Sequence, residues 1–264
     1  MGLFNQGGDD ASGGGEKPQD AAPLLDRAAA MFDSGDYAAA EPLFVEAIRI
    51  LGQRPANGAE EAAELTFQVI AVHMMLARTR EALGDDDGAQ GAAMVAESAV
   101  RDLVDVDRLD DVAQRAPDLA REYLSIADFL AAVAVKTMFA RLDDDSLGES
   151  ELEGRLRWTG NAVGAFALAA QGDPKPDVCT GLGRVLVRHA LVALTANRPQ
   201  EALDHLDQAM GLMPDYEPQQ RWFGTVREAL DSIEAVDPGM LDSLAPDSDL
   251  ARFRRGEVTG PGQA

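Results

Sequence analysis

A single cysteine, Cys179, occurs in 264 residues, so no intramolecular disulfide can form and a reducing compartment is expected. Lysine is nearly as scarce. Lys17, Lys136 and Lys175 are the only three, and arginine supplies the remainder of 23 cations against 46 carboxylates. A formal charge of −23 argues against a general basic face, and so against binding to nucleic acid or an anionic membrane surface. Low lysine beside abundant Asp, Ala and Gly reads either as a GC-rich coding bias or as adaptation to salt. No uninterrupted run approaches the roughly 18 apolar residues of a membrane span. The start, Met1 to Gln6, lacks a basic segment followed by an apolar core, and Gln6 stands where an N-myristoylation signal has Ser or Thr. A cytoplasmic location is expected.

Chemistry-bearing patterns are equally sparse. His73, His189 and His205 are the only histidines, and none has metal-ligand spacing along the chain. His189, at a packing position, reads as structural. There is no Gly-x-Ser-x-Gly elbow, and Gly181-Leu182-Gly183 follows no strand. The acidic loop beginning at Asp143 places Leu147 fifth and Gly154 twelfth, which breaks a calcium-loop register. No catalytic, cofactor or metal residue is therefore assigned.

What the chain does have is helical periodicity. Residues 1–19, rich in Gly and Asp, read as a disordered tail. Helices are expected over 21–33, 37–51, 59–83 and 87–104, with Gly52 and Pro55 closing the first pair. A short helix should follow before Pro117, then a long one capped by Asp118 and running to Arg141, and another over 149–171 weakened by Gly160 and Gly164. Beyond the break at residues 173–176 come a helical pair within 183–216 and a helix over 217–236, with Trp222, Phe223, Val226, Leu230 and Ile233 on one face. Residues 237–264 read as a mobile tail with one helical turn near Leu241. The domain is thus expected to span 20–236.

The stretch Gly35-Asp36-Tyr37 followed by Ala40, Phe44 and Ala47 combines a tight turn with small and large residues at helical spacing. The pattern recurs at Gly84-Asp85 with Ala89, Ala93 and Ala96, and at Asn197-Arg198-Pro199 with Ala202, Leu206 and Ala209, closed by Pro214. Leu24, Ala28 and Met31, and again Leu186, Ala190 and Ala193, precede two of these turns as a first helix. These residues resemble the tetratricopeptide repeat family over about half of the chain. Arg27, His73 and Arg80 depart from its pattern, and the copies are spaced more widely than the family's period of about 34 residues. The resemblance implies an all-α solenoid of antiparallel hairpins, with 217–236 as its capping helix.

It also implies a function. Members of this family bind proteins through the first helix of each hairpin, whose groove-facing positions here are Leu25, Ala29 and Phe32, then Met74, Arg78 and Glu81, then Arg184, Val187, Leu191 and Leu194. The family's clamp for a peptide carboxylate uses Lys and Asn, which these positions lack. An apolar groove flanked by Arg78 and Arg184 suits an amphipathic helix or a short apolar peptide. The same residues would also serve as contacts for another helix of the chain, and both readings stand at this point. A non-catalytic adaptor or regulatory subunit is the first expectation. The alternative is a structural subunit that self-associates, as a homodimer for example, through Trp222 and Phe223; an acidic helical enzyme is the remaining class.

Overall fold

The computed structural model describes residues 20–141, 147–212 and 220–257. The N-terminal tail, the acidic loop at Asp143–Ser146 and Pro214 lie outside these residues. Among the described residues there are helices, turns, bends and short irregular links, and no strand. In order they form α1 (Ala22–Asp33), α2 (Tyr37–Gln53), α3 (Ala59–Leu83), α4 (Asp86–Leu103), α5 (Leu109–Arg115) and α6 (Pro117–Arg141). Then come α7 (Glu149–Gly172), α8 (Pro176–Thr195), α9 (Pro199–Leu212), α10 (Gln220–Val236) and α11 (Asp249–Arg254), with 3-10 turns at Val106–Arg108 and Met240–Ser243.

One local device starts the hairpins. Gly35 and Gly84 take φ of +81° and +82°, and Asn197 takes +57°, so each preceding helix ends in a left-handed residue. The next amide then reaches five residues back: Asp36 N to Met31 O (2.9 Å), Asp85 N to Arg80 O (2.9 Å) and Arg198 N to Ala193 O (2.8 Å). Asp36 and Asp85 also cap the following helices, accepting from the amides of Ala39 and Gly88. This satisfies end groups that a helix leaves open and turns the chain back on itself.

Packing then proceeds by neighbours, α1 on α2, α2 on α3, α3 on α4, α4 on α6, α6 on α7, α7 on α8 and α8 on α9. This is an all-α solenoid. Its seams are lined by alanine: Ala28, Ala40, Ala47, Ala77, Ala93, Ala96, Ala131, Ala190, Ala193 and Ala202 are fully or almost fully buried. Small side chains let helix axes approach, and the larger Phe44, Ile70, Ile126 and Leu206 fill the spaces between. The interior forms two apolar clusters, one centred on α1–α6 and one on α8–α11, which meet at Val163 and Leu182.

Departures from the repeat pattern have a use. Arg80, where an apolar residue is usual, donates to Glu41 (2.9 Å) on α2 and to the Gly88 carbonyl (3.3 Å) on α4, tying one hairpin to the next. The irregular pair α6–α7 is pinned by Arg155, only 4% exposed. Its guanidinium donates to the Ala134 carbonyl (2.6 Å), to Thr137 and to Glu151 (2.6 Å).

Several boundaries differ from expectation. Gly52 lies inside α2, which ends at Gln53, because glycine in a helix costs only about 1 kcal/mol whereas Pro55 forbids continuation. Asp118 is in the first turn of α6 and binds Arg121; Pro117 opens that helix. α8 begins at Pro176, well before the repeat expected from 183. Within the segment expected as a tail, the described residues 237–257 include α11, which seats Leu250 and Phe253 in the second apolar cluster. α6 and α8 do contain 18-residue windows long and apolar enough for a membrane span, interrupted rather than continuous, and these windows are 56% and 50% buried inside the protein. Their apolarity is accounted for by neighbours on several sides.

Two glycines of α7 separate packing from propensity. A Cβ on Gly164 meets nothing within 4 Å, whereas one on Gly172 would lie 2.5 Å from the Asp110 carbonyl oxygen of α5. Gly164→Ala should therefore stabilise by about 0.5–1 kcal/mol, and Gly172→Ala should destabilise by about 1–3 kcal/mol. Urea unfolding measures both; stabilisation by both would show that α5 is not seated on the end of α7.

Candidate functional site

The first helices of successive hairpins, α3, α6 and α8, and the capping helix α10 are joined by polar contacts along one face. Arg78 Nη2 of α3 donates to Ser125 Oγ of α6 at 3.3 Å. Asp128, nearly one turn further along α6, accepts from Arg184 Nε (3.0 Å) and Arg188 Nη1 (2.5 Å), and Arg188 also donates to its backbone carbonyl (3.0 Å). The Arg188 guanidinium lies over the Trp222 ring, 5.7 Å from its centroid. Burial pulls the Arg188 pKa down from its ordinary value, and the charges of Asp128 and Glu81 oppose that pull.

Within this network cations outnumber carboxylates, three to two, whereas the chain as a whole is acidic. Arg78, Arg184 and Arg188 stand against Asp128 and Glu81, in a molecule of net charge −23. Arg78 is exposed and its only described side-chain partner is a neutral hydroxyl. Beside the network opens a cavity of about 300 Å³ between α5, α6, α7 and the start of α8. Leu124, Phe166 and Val178 supply apolar wall, Ser125, Asp128 and Arg184 the inner polar edge, and Arg121, Lys175, Asp173 and Asp177 part of the rim, where Lys175 pairs with Asp173 and Arg121 with Asp118.

The sequence-predicted residues fall into three groups. Arg78 and Arg184 are brought onto this common face. Leu25, Phe32, Leu191 and Leu194 are half-buried and pack against the apolar clusters, Phe32 with its ring edge-on to Tyr37 at 5.3 Å. Met74 and Val187 are 3% and 0% exposed and belong to the core, because α3 and α8 have neighbours on several sides. The apolar floor expected between the two arginines is therefore a charged one. On α10, Phe223 stacks on Phe253 of α11, 5.4 Å between centroids, so the aromatic face is used within the chain.

Sequence reasoning missed Ser125, Asp128 and Arg188. The available signal was Asp128, the one charged residue in the apolar run from Tyr123 to Val135. It also missed a second cluster, on the α7–α8–α9 side: His189 Nε2 lies 3.0 Å from Glu201 Oε1, and the His205 ring packs edge-on against His189 at 4.7 Å. These three are the group among the described residues that could hold a metal ion. Burial pulls the Glu201 carboxyl upward, but hydrogen bonds and charge from His189 and Arg198 outweigh it and hold the group below its ordinary value.

Asp128 neutralises two guanidiniums, of which Arg188 is largely buried, its side chain 14% exposed. Asp128→Asn should cost about 2–3 kcal/mol of unfolding free energy by leaving that charge uncompensated. Urea titration at neutral pH checks this; an unchanged midpoint would show that the arginines are paired by solvent alone.

No family model and no curated protein matches the chain. Among solved structures, one similar chain is "Assembly Chaperone of RpL4 (Acl4) (Residues 1-338)", at 17% identity and a TM-score of 0.33, covering 90% of this chain and 98% of that one. Likeness at that level carries no argument, and the fold assignment rests on the helices and their packing.

Proposed function

We propose that this chain is a non-catalytic protein-interaction module, an adaptor or regulatory subunit of tetratricopeptide-like kind, that holds a partner segment along the face of α3, α6 and α8. The observation that carries this reading is Arg78, exposed and without a described carboxylate partner, next to the Arg184–Asp128–Arg188 cluster. An acidic group approaching there is attracted locally while the rest of the surface repels it, which fixes register more than it adds affinity. The adjoining cavity supplies what charge does not, an apolar recess for one anchoring side chain against Leu124, Phe166 and Val178. The ligand so described is a peptide or amphipathic helix carrying an acidic residue beside an apolar one.

Reversing the charge at Arg78 isolates the claim, because the residue is exposed and its described hydrogen bond is the long one to Ser125. In a quantitative pull-down from native lysate, the wild-type chain should retain one protein near-stoichiometrically, and Arg78→Glu should lose it while circular dichroism shows unchanged helix. Retention of the same proteins by both, or of none by either, would exclude this face as the binding surface.

A further inference from the structure

His189 lies near the middle of the second apolar cluster, 6% exposed, while Glu201 and His205 lie one turn apart on the facing helix α9. One ligand atom from each of the three falls within 4.8 Å of the other two. Spacing of i and i+4 puts the α9 pair on one side of that helix, and α8·α9 packing brings it against His189.

In this cluster the protein groups leave one buried nitrogen over, His205 Nδ1. Thr159 Oγ1 of α7 is 2.9 Å from the Arg155 carbonyl and 2.7 Å from His189 Nδ1. A hydroxyl has one proton. When Thr159 gives it to the carbonyl, as helical threonines do, it must accept from Nδ1–H of His189. The Nε2 lone pair of a neutral His189 then faces the Glu201 carboxylate at 3.0 Å, acceptor against acceptor. The Nε2–H tautomer relieves that contact by donating to Glu201 and accepting from Thr159 at Nδ1, and with either tautomer His205 Nδ1 is buried and has no hydrogen-bond partner within the protein. A cation held among the three side chains would take the Nε2 lone pair of His189 and offer His205 a partner.

We infer that His189, Glu201 and His205 form a binding site for a divalent transition-metal ion of the zinc class. Two ligands held about 2.0–2.1 Å from a tetrahedral zinc ion stand about 3.3 Å apart, close to the 3.0 Å between Nε2 and Oε1. Two imidazoles and a carboxylate select Zn²⁺ or Co²⁺ over the oxygen-preferring Mg²⁺ and Ca²⁺. The surrounding shell has the form such sites need: Thr159 orients His189 through Nδ1, and Arg198 approaches Glu201 Oε2 at 3.5 Å, leaving Oε1 to the metal. Glu153, paired with Arg198, and Asp204 add negative charge nearby. The Glu201 side chain, 35% exposed, gives the ion a path inward. With three protein ligands the fourth position belongs to water. The ion joins α8 to α9, with Thr159 of α7 behind it.

The full chain, stripped of metal by chelator, would be titrated with Co²⁺ and then with Zn²⁺. Expected are visible absorption bands of four-coordinate cobalt that saturate at one equivalent and are abolished by Zn²⁺. His205→Gln and Glu201→Gln should reduce the bands to background, and Thr159→Val should weaken affinity by about 10-fold or more. Absence of the bands from the wild type overturns the inference, however the variants fold. So does binding of many equivalents that is unchanged in either ligand variant, which would be attraction to the acidic surface only. Circular dichroism identifies any variant that loses helix, and the other variant is then read.

Discussion

Close approach of helices through alanine is the constraint on which the rest of the structure depends. A solenoid hairpin buries its apolar face only against the next hairpin, and the fully buried alanines on α2, α3, α4, α6, α8 and α9 set how near that neighbour sits. The left-handed turns after α1, α3 and α8 aim the two helices of each pair antiparallel, so turn and seam act together. Two arginines brace these seams. Arg80 bridges α2, α3 and α4, and Arg155 bridges α6 and α7, each donating to a carbonyl and a carboxylate.

The same arrangement determines where an acidic chain can present positive charge. Most arginines are taken up in exposed pairs with nearby carboxylates, which contribute little to stability. On the face of α3, α6 and α8 two arginines share one aspartate, and a third meets a hydroxyl. That imbalance, beside an apolar-walled cavity, is a property of three helices brought together and of no single one. The His189–Glu201–His205 cluster lies on the side of α8 that packs against α9, apart from the residues of α8 that meet Asp128.

How much of this was legible in sequence follows from the range of each interaction. Turns and helices are local: Gly35-Asp36 and Gly84-Asp85 announce both a helix stop and the next cap, and α3 spans the expected 59–83. Alanine positions such as Ala40, Ala89 and Ala202 were readable for the same reason. Met74 and Val187 were placed on plausible helix faces, but how many faces of α3 and α8 are covered depends on helices distant in sequence. α11 was overlooked because Leu250 and Phe253 sit among charged residues in a segment too short to show a period. Asp128 and its arginines are 56 and 60 residues apart, and α6 matches no repeat register that would have aligned them. The His189–Glu201–His205 cluster escaped because its members come from two helices.

The central claim, that a partner lies across the face of α3, α6 and α8, is tested most directly by site-specific photo-crosslinking. A photoreactive residue in place of Arg121, at the mouth of the cavity, would be compared with one in place of the exposed Arg157 on α7. The account predicts that position 121 crosslinks to a discrete partner peptide bearing an acidic residue and that position 157 does not. Crosslinks from 157 alone, or indistinguishable products from both, would contradict it.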